Sequence, residues 1–289
     1  FKAQSQMVTA RVLDASTGKP LTYAILIYMK QQTIGYTDAN GYFNIRKDSL
    51  PANDSVCVQF LGYIQKCFSI ASLTDGMQIN MQPAEQNLAP VIVSDCRKKD
   101  FTVNRKTGRI KDYIGPGPET KLIVMAKYAN TSGRPGYVKS ISMLIDEKMK
   151  SLKVPVRLRW YSWNTTFNRP DKELTDTSII VYPYKTGWND FDLPVNAIWC
   201  PDDFIVFGLE FIYTPEYKQA YDKLKNNNDK IEWLNDMQNR WSLALQYVSE
   251  AGESGFYMLN NSDIKQYDKK YDRYYVRPAL RFTIEICED

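Results

Sequence analysis

The 289-residue chain contains no histidine, and that absence excludes more chemistry than any motif present adds. Imidazole is the common ligand of a peptidase zinc and the general base of Ser-His-Asp and Cys-His nucleophile systems. Those mechanisms are therefore removed by composition. No run reaches the ~18–20 apolar residues that a membrane-spanning helix needs. Charge of one sign is scarce as well, since 37 Lys and Arg against 33 Asp and Glu leave a formal +4. Basic residues gather only at Arg97-Lys98-Lys99 and Lys269-Lys270, read as solvated surface lysines, so no nucleic-acid partner is expected. No Gly-rich phosphate cradle occurs, which argues against nucleotide chemistry. The five cysteines at 57, 67, 96, 200 and 287 include no Cys-x-x-Cys knuckle. They are not expected to form a disulfide framework, and neither metal nor cofactor is expected.

What is there is β-structure punctuated by turn chemistry. Val8, Ala10 and Val12 alternate with Thr9, Arg11 and Leu13, and Asp14-Ala15-Ser16-Thr17-Gly18-Lys19-Pro20-Leu21 ends that strand. Ala24 to Tyr28 is a short apolar run, and a further strand, roughly Gln32 to Thr37, closes on Asp38-Ala39-Asn40-Gly41. There the Asp and Asn side chains can bond nearby backbone and the glycine can take positive φ. Phe43 and Ile45 resume the alternation, Val56, Val58 and Phe60 form another strand, and Gly62 marks a turn before Ile64 to Ile70. Cys57 and Cys67 are equidistant from Gly62, so a hairpin turning there sets them opposite each other. A cross-strand disulfide in an oxidising compartment and two small apolar strand residues are the two readings.

Thr-Gly-x-Pro-Leu at 17–21, Thr-Asp-x-Asn-Gly-x-Phe at 37–43 and Leu-Gly-Tyr at 61–63 together resemble the carboxypeptidase-regulatory-like domain. That family is a transthyretin-like sandwich common in secreted and outer-membrane proteins of Bacteroidetes. The resemblance covers about residues 7 to 95, with Leu88 to Val93 similar to the family's closing strand. It implies an exported protein, placed in the periplasm, at the outer membrane or on the cell surface. A start at Phe1 rather than Met fits a processed chain; a lipid-bearing cysteine upstream is left open.

Size and pattern suggest two domains, residues 1–99 and 100–289. Gly115-Pro116-Gly117-Pro118 is a strong loop signal. Strands are expected at Lys121–Tyr128, Tyr137–Leu144, Val154–Tyr161, Thr177–Tyr182, Gly187–Leu193, Phe204–Tyr213 and Ala279–Cys287. An antiparallel two-sheet jelly roll is the economical way to bury these half-apolar strands. The segments Pro155 to Trp160, Gly187 to Leu193 and Asp203 to Glu210 resemble the jelly-roll domain that follows the regulatory-like domain in secreted Bacteroidetes proteins, a likeness of fold rather than of activity. From Pro215 to Trp241 apolar residues recur at helical spacing, with Asp229 as N-cap of a second helix. The expected fold class is thus all-β, two sandwiches with a helical insertion at about 215–241.

Candidate sites follow from the aromatics. Trp160, Tyr161, Trp163, Tyr184 and Trp188 cluster near two strand ends, with Asn164, Arg169, Asp171, Asn189 and Asp190 nearby in sequence. An exposed aromatic platform beside amide, acid or guanidinium groups is what sugar C–H faces require, and core packing is the competing reading. Alternation points Trp160 inward with Leu158; Tyr161, Trp163, Tyr184, Trp188 and Asn189 are the ligand-binding candidates. Asp38 to Gly41 lacks the downstream Glu of a calcium loop and reads as a plain turn, and Pro201-Asp202-Asp203 sends its carboxylates to opposite faces. Paired carboxylates can hydrolyse glycosides without histidine, and Glu210, Asp190 and Asp192 would be the residues for it. The expectation is a non-catalytic exported protein binding a glycan or an envelope protein through its second domain, the first serving as spacer or docking unit. A carboxylate glycosidase and a structural adhesion subunit are the alternatives.

Overall fold

The structure is a computed structural model that describes residues 7–30, 33–51, 53–84, 96–105, 110–114, 122–145, 154–175, 177–217, 219, 243–248, 256–260, 263–267 and 275–288. It is all-β and divides into two units. The first holds residues 7–84 together with 212–217, and the second holds 96–211 and 243–288.

The first unit contains β1 (Met7–Asp14), β2 (Ile25–Tyr28), β3 (Thr33–Tyr36), β4 (Tyr42–Arg46), β5 (Ser55–Gln59), β6 (Lys66–Ser69) and β7 (Met77–Met81). A three-stranded sheet, β4-β1-β7, faces a four-stranded sheet, β3-β2-β5-β6. Alternation makes the core: Val8, Ala10, Val12, Phe43, Ile45, Ile79 and Met81 from the first sheet meet Leu26, Val56 and Val58 from the second. β7 was not anticipated from the sequence. It lies parallel to β1, with Val12 opposite Ile79, and a parallel pairing has no hairpin turn to announce it. The expected closing strand Leu88 to Val93 lies outside the described residues.

The turns are built as their residues dictate. Asp38 Oδ1 accepts the amides of Asn40 and Tyr42, both at 2.8 Å. Gly41 has φ +78°, and a Cβ there would come within 2.6 Å of the Val12 carbonyl oxygen. Asp14 accepts the Ser16 amide and hydroxyl and the Thr17 hydroxyl. The Ser16 bonds, then that of Thr17, hold its carboxyl well below the ordinary range. β5 and β6 pair antiparallel with Cys57 opposite Cys67, and the two are joined in a disulfide.

The second unit contains β8 (Arg97–Val103), β9 (Ile110–Ile114), β10 (Leu122–Ala129), β11 (Gly136–Ile145), β12 (Val156–Asn164), β13 (Arg169–Glu173), β14 (Ile179–Val181), β15 (Gly187–Asp192), β16 (Trp199–Cys200), β17 (Phe204–Phe211), β18 (Leu243–Val248), β19 (Phe256–Asn260), β20 (Asp263–Tyr267), β21 (Tyr275–Pro278) and β22 (Leu280–Glu288). Arg97–Val103 forms strand β8, so the expected boundary at Lys99 falls inside an element. β8 pairs with the last strand from Arg97–Glu288 to Val103–Phe282. Pairing along a whole strand outweighs the poor β-propensity of Lys and Asp at exposed edge positions.

A seven-stranded sheet, β13-β12-β17-β10-β19-β20 with β14 on β12, packs on an eight-stranded sheet, β21-β18-β11-β22-β8 with β15 and β16 on β11 and β9 on β18. Their inner faces meet where Phe207 of the first sheet stacks on Phe282 of the second at 4.9 Å and Tyr128 meets the same ring edge-on at 4.9 Å. A second disulfide, Cys96–Cys287, joins the chain just before β8 to the end of β22. That corrects the expectation of no disulfide framework: four of the five cysteines are paired, and Cys200 is a buried thiol whose burial pushes its pKa up to about 12. Residues 215–217 and 219 are helical, with the Thr214 hydroxyl accepting the Tyr217 amide. The rest of the expected insertion, Asp229 included, lies outside the described residues.

Candidate functional site: the outer face of the eight-stranded sheet

The expected aromatic residues do not form one platform. Tyr161 lies in β12 and is 6% exposed, packed with Ile123, Met125 and Val206. Its ring occupies the space left by the absent side chain of Gly208, where a Cβ would stand 2.8 Å away. Burial raises its phenol pKa well above the ordinary range. Alternation suggested that only Trp160 points inward, yet the sheet is covered on both faces here, so Trp160 and Tyr161 are both buried. Trp163, further along β12, packs edge-on to Phe204 at 6.3 Å, and the Lys127 ammonium lies over both rings.

Asn189 is wholly buried and structural. Its Oδ1 accepts the amides of Tyr184 and Lys185, and its Nδ2 donates to the carbonyls of Lys185 and Gly187. With all four bonds used to close the turn before β15, it has nothing left for a ligand. Tyr184 is 50% exposed and sits edge-on to Phe191. Phe191 alternates with Trp188 along β15, so Tyr184 packs on one side of that strand while the Trp188 ring lies on the other. Trp188 is half-buried and shares its side of β15 with the exposed Asp190 and Asp192. Asn164 accepts the Phe167 amide, and Arg169 lies over the Phe167 ring; both serve the β12–β13 turn.

Glu210 is not available as an exposed carboxylate. It is 0% exposed on β17, where its Oε2 accepts from Arg159 Nε at 2.7 Å and from Arg157 Nη1 at 3.2 Å. Arg159 reaches on to both carboxylate oxygens of Glu173, and Arg157 Nε donates to Ser178. Burial by itself would lower the Arg159 pKa, but the charges of Glu210 and Glu173 outweigh it and hold the guanidinium above its usual range. This chain of alternating charge ties β12, β13 and β17 together; Glu210 is its hub.

The face that carries Trp188 belongs to β15, β16, β11, β22 and β8. Pairing sets Trp188 opposite Leu144, Asp190 opposite Ser142 and Asp192 opposite Ser140. On the other side of β11, Arg281 lies opposite Ser142 and Thr283 opposite Ser140. Burial alternates accordingly: Ile141, Met143, Phe282 and Leu280 are inside, while Asp190 and Asp192 are exposed. The Arg281 guanidinium lies 3.7 Å from the centre of the Trp188 ring. The Ser142 hydroxyl donates to Asp190 Oδ1.

The same row ends in a second aromatic station. β16 pairs with the start of β11 so that Trp199 lies opposite Tyr137, the two rings edge-on at 4.8 Å. Trp199 is 40% exposed while its neighbour Cys200 is buried. A bulge in β11 between Val138 and Ser140 turns Lys139 outward, where its ammonium meets both oxygens of Asp100 at 2.9 Å. Trp199, Tyr137 and Arg281 were missed in the sequence because Trp199 sits in a two-residue strand and Arg281 is far from Trp188 in the chain. Alternation in β22, with Leu280 and Phe282 inward, was the one signal that turned Arg281 out.

Chemically, this face offers two indole rings, hydroxyl, carboxylate and guanidinium groups on one sheet surface. Among the described residues, no three His, Cys, Asp or Glu side chains are placed to hold a metal ion, and no helix is long and apolar enough to cross a membrane.

Residues 8–93 match the model of the CarboxypepD_reg-like domain. No curated protein matches the chain. Two solved structures are similar at low identity. One holds the cysteine protease and lectin-like domains of Cwp84, a surface layer associated protein of Clostridium difficile, at 11% identity and a TM-score of 0.36. The match covers 92% of this chain, which spans only 59% of that one. The other is a candidate carbohydrate-binding protein from Bacteroides uniformis, at 10% identity and a TM-score of 0.23, covering 99% of this chain and all of that one. At these TM-scores neither likeness carries an argument about this chain's arrangement or ligand.

Proposed function

We propose that the chain is a non-catalytic, exported carbohydrate-binding protein whose second unit takes a glycan on the outer face of its eight-stranded sheet. The carrying observation is the pair Trp188 and Trp199 on one face of that sheet, with Ser142, Asp190 and Asp192 in the row between them. Indole rings stack on the C–H faces of sugars, and side chains with fixed partners accept or donate to hydroxyls without losing much freedom on binding. Two disulfides favour an oxidising compartment outside the cytoplasm. The CarboxypepD_reg-like domain is then a spacer or docking unit.

A glycan array probed with the full chain tests this reading. Binding should be specific and should fall in Trp188→Ala and Trp199→Ala variants that keep the parent melting temperature. An array blank for the parent chain, together with specific capture of an envelope protein that the same substitutions abolish, would transfer the face to a protein partner. Turnover of a glycan by the parent chain would overturn the non-catalytic part.

A further inference from the structure

The two aromatic stations lie on the same side of β11, in a line parallel to it. Trp188 is opposite Leu144 and Trp199 opposite Tyr137. Seven residues at about 3.4 Å each, shortened by the bulge, put ~20 Å between the stations, the length of about four pyranose rings. A monosaccharide or a chain end reaches one station only.

The row between the stations is polar throughout. Asp190 and Asp192 are exposed and project from β15. The nearest bases are engaged, Lys139 with Asp100 and Arg281 over Trp188. A glycan carrying uronate or sulfate groups would bring like charge against the two aspartates, whereas neutral hydroxyls find acceptors.

Resting on the carbohydrate reading above, we infer that the face binds the interior of a linear, uncharged glycan lying along β11, with a sugar ring on the side of the Trp188 indole opposite Arg281, another on Trp199 and the intervening rings over Ser142, Asp190, Ser140 and Asp192. The two stations act as one site through the chain that joins them. Affinity therefore rises with chain length until both are spanned and then levels off.

The test uses the full chain. Affinity electrophoresis against soluble xylan, mannan, mixed-linkage glucan and polygalacturonate selects the backbone that is retained. Calorimetric titration then follows with its oligomers of two to eight units. Affinity should climb to about four or five units and then plateau. Trp188→Ala and Trp199→Ala should each cost about tenfold or more against the hexamer while leaving the weak dimer affinity within about threefold. Trp188→Tyr should recover part of the loss, which separates loss of the ring from damage to the sheet. Equal affinity for dimer and hexamer, or retention by polygalacturonate alone, overturns the extended neutral site but leaves carbohydrate binding standing. Failure to retain any backbone removes both.

Discussion

The two units handle charge in opposite ways. In the first, buried or partly buried carboxylates serve the backbone nearby: Asp14 takes the Ser16 amide, Asp38 those of Asn40 and Tyr42, and Asp54 those of Lys30 and Ser55. In the second, Arg157, Arg159 and Glu210 are buried side chain against side chain across two strands. Their disulfides differ in the same sense, one closing a hairpin with a separation of 10 residues and the other joining positions 191 apart. The first unit is held by local devices around an apolar core. The second depends on partners that meet only after its sheets have assembled.

The comparison can be broken experimentally, and the disulfides are the largest lever. On chain entropy, closing the longer loop stabilises by about 5 kcal/mol and the short hairpin by less than about 3 kcal/mol. Cys287→Ser should therefore lower the denaturant midpoint of the second unit by more than Cys67→Ser lowers that of the first. Two-probe unfolding that follows each unit separately checks this. Next in size, Glu210→Gln leaves two buried guanidinium groups without their shared carboxylate and should cost about 3–5 kcal/mol. Replacing Arg157, Arg159 and Glu210 together by apolar residues of similar volume should recover much of that loss, measured by the same titration.

In the first unit, Gly41→Ala forces a left-handed backbone costing about 1–2 kcal/mol, with a clash against Val12 oxygen added. The expected result is a lower melting temperature for the first unit and no change in the second. Acid should also act unevenly. Folding lowers the Asp14 pKa from its ordinary 3.8, so its contribution is complete above that value and is lost as pH falls below it toward the folded value. Asp14→Asn should flatten the acid limb of the first unit's stability profile between about pH 4 and pH 2. The smallest effect belongs to Tyr184→Ala: half exposed and on the other side of β15 from Trp188, it should leave hexamer affinity within about twofold while Trp188→Ala does not.

Much of the first unit was legible because its determinants are close in the chain. The Asp38 to Gly41 turn needs an Asx acceptor and a glycine at positive φ, both within four residues. The setting of Cys57 opposite Cys67 follows from their equal distance to Gly62. β7 was not legible, since a parallel partner for β1 leaves no turn between them. In the second unit most long alternating strands could be read. β8 could not, because its charged residues suit an edge position that only the pairing with β22 creates.

The candidate site shows the same division more sharply. Trp188 is legible as an aromatic beside polar residues, whereas the burial of Tyr161 and Asn189 is not. One is polar-tipped yet fills the space over Gly208; the other is an amide spent on its own turn. Trp199 and Arg281 stand 11 and 93 positions beyond Trp188 in the sequence, and no local pattern joins them.

By itself the sequence determined an all-β fold and, at residues 8–93, the turns of a regulatory-like sandwich, because turns and alternation are local. Tertiary structure decided that Glu210 is the hub of a buried ion network, that Cys96 meets Cys287, and that Trp188 and Trp199 share a face. Strand register across a sheet depends on the packing of every other strand, and that information is spread over the whole chain.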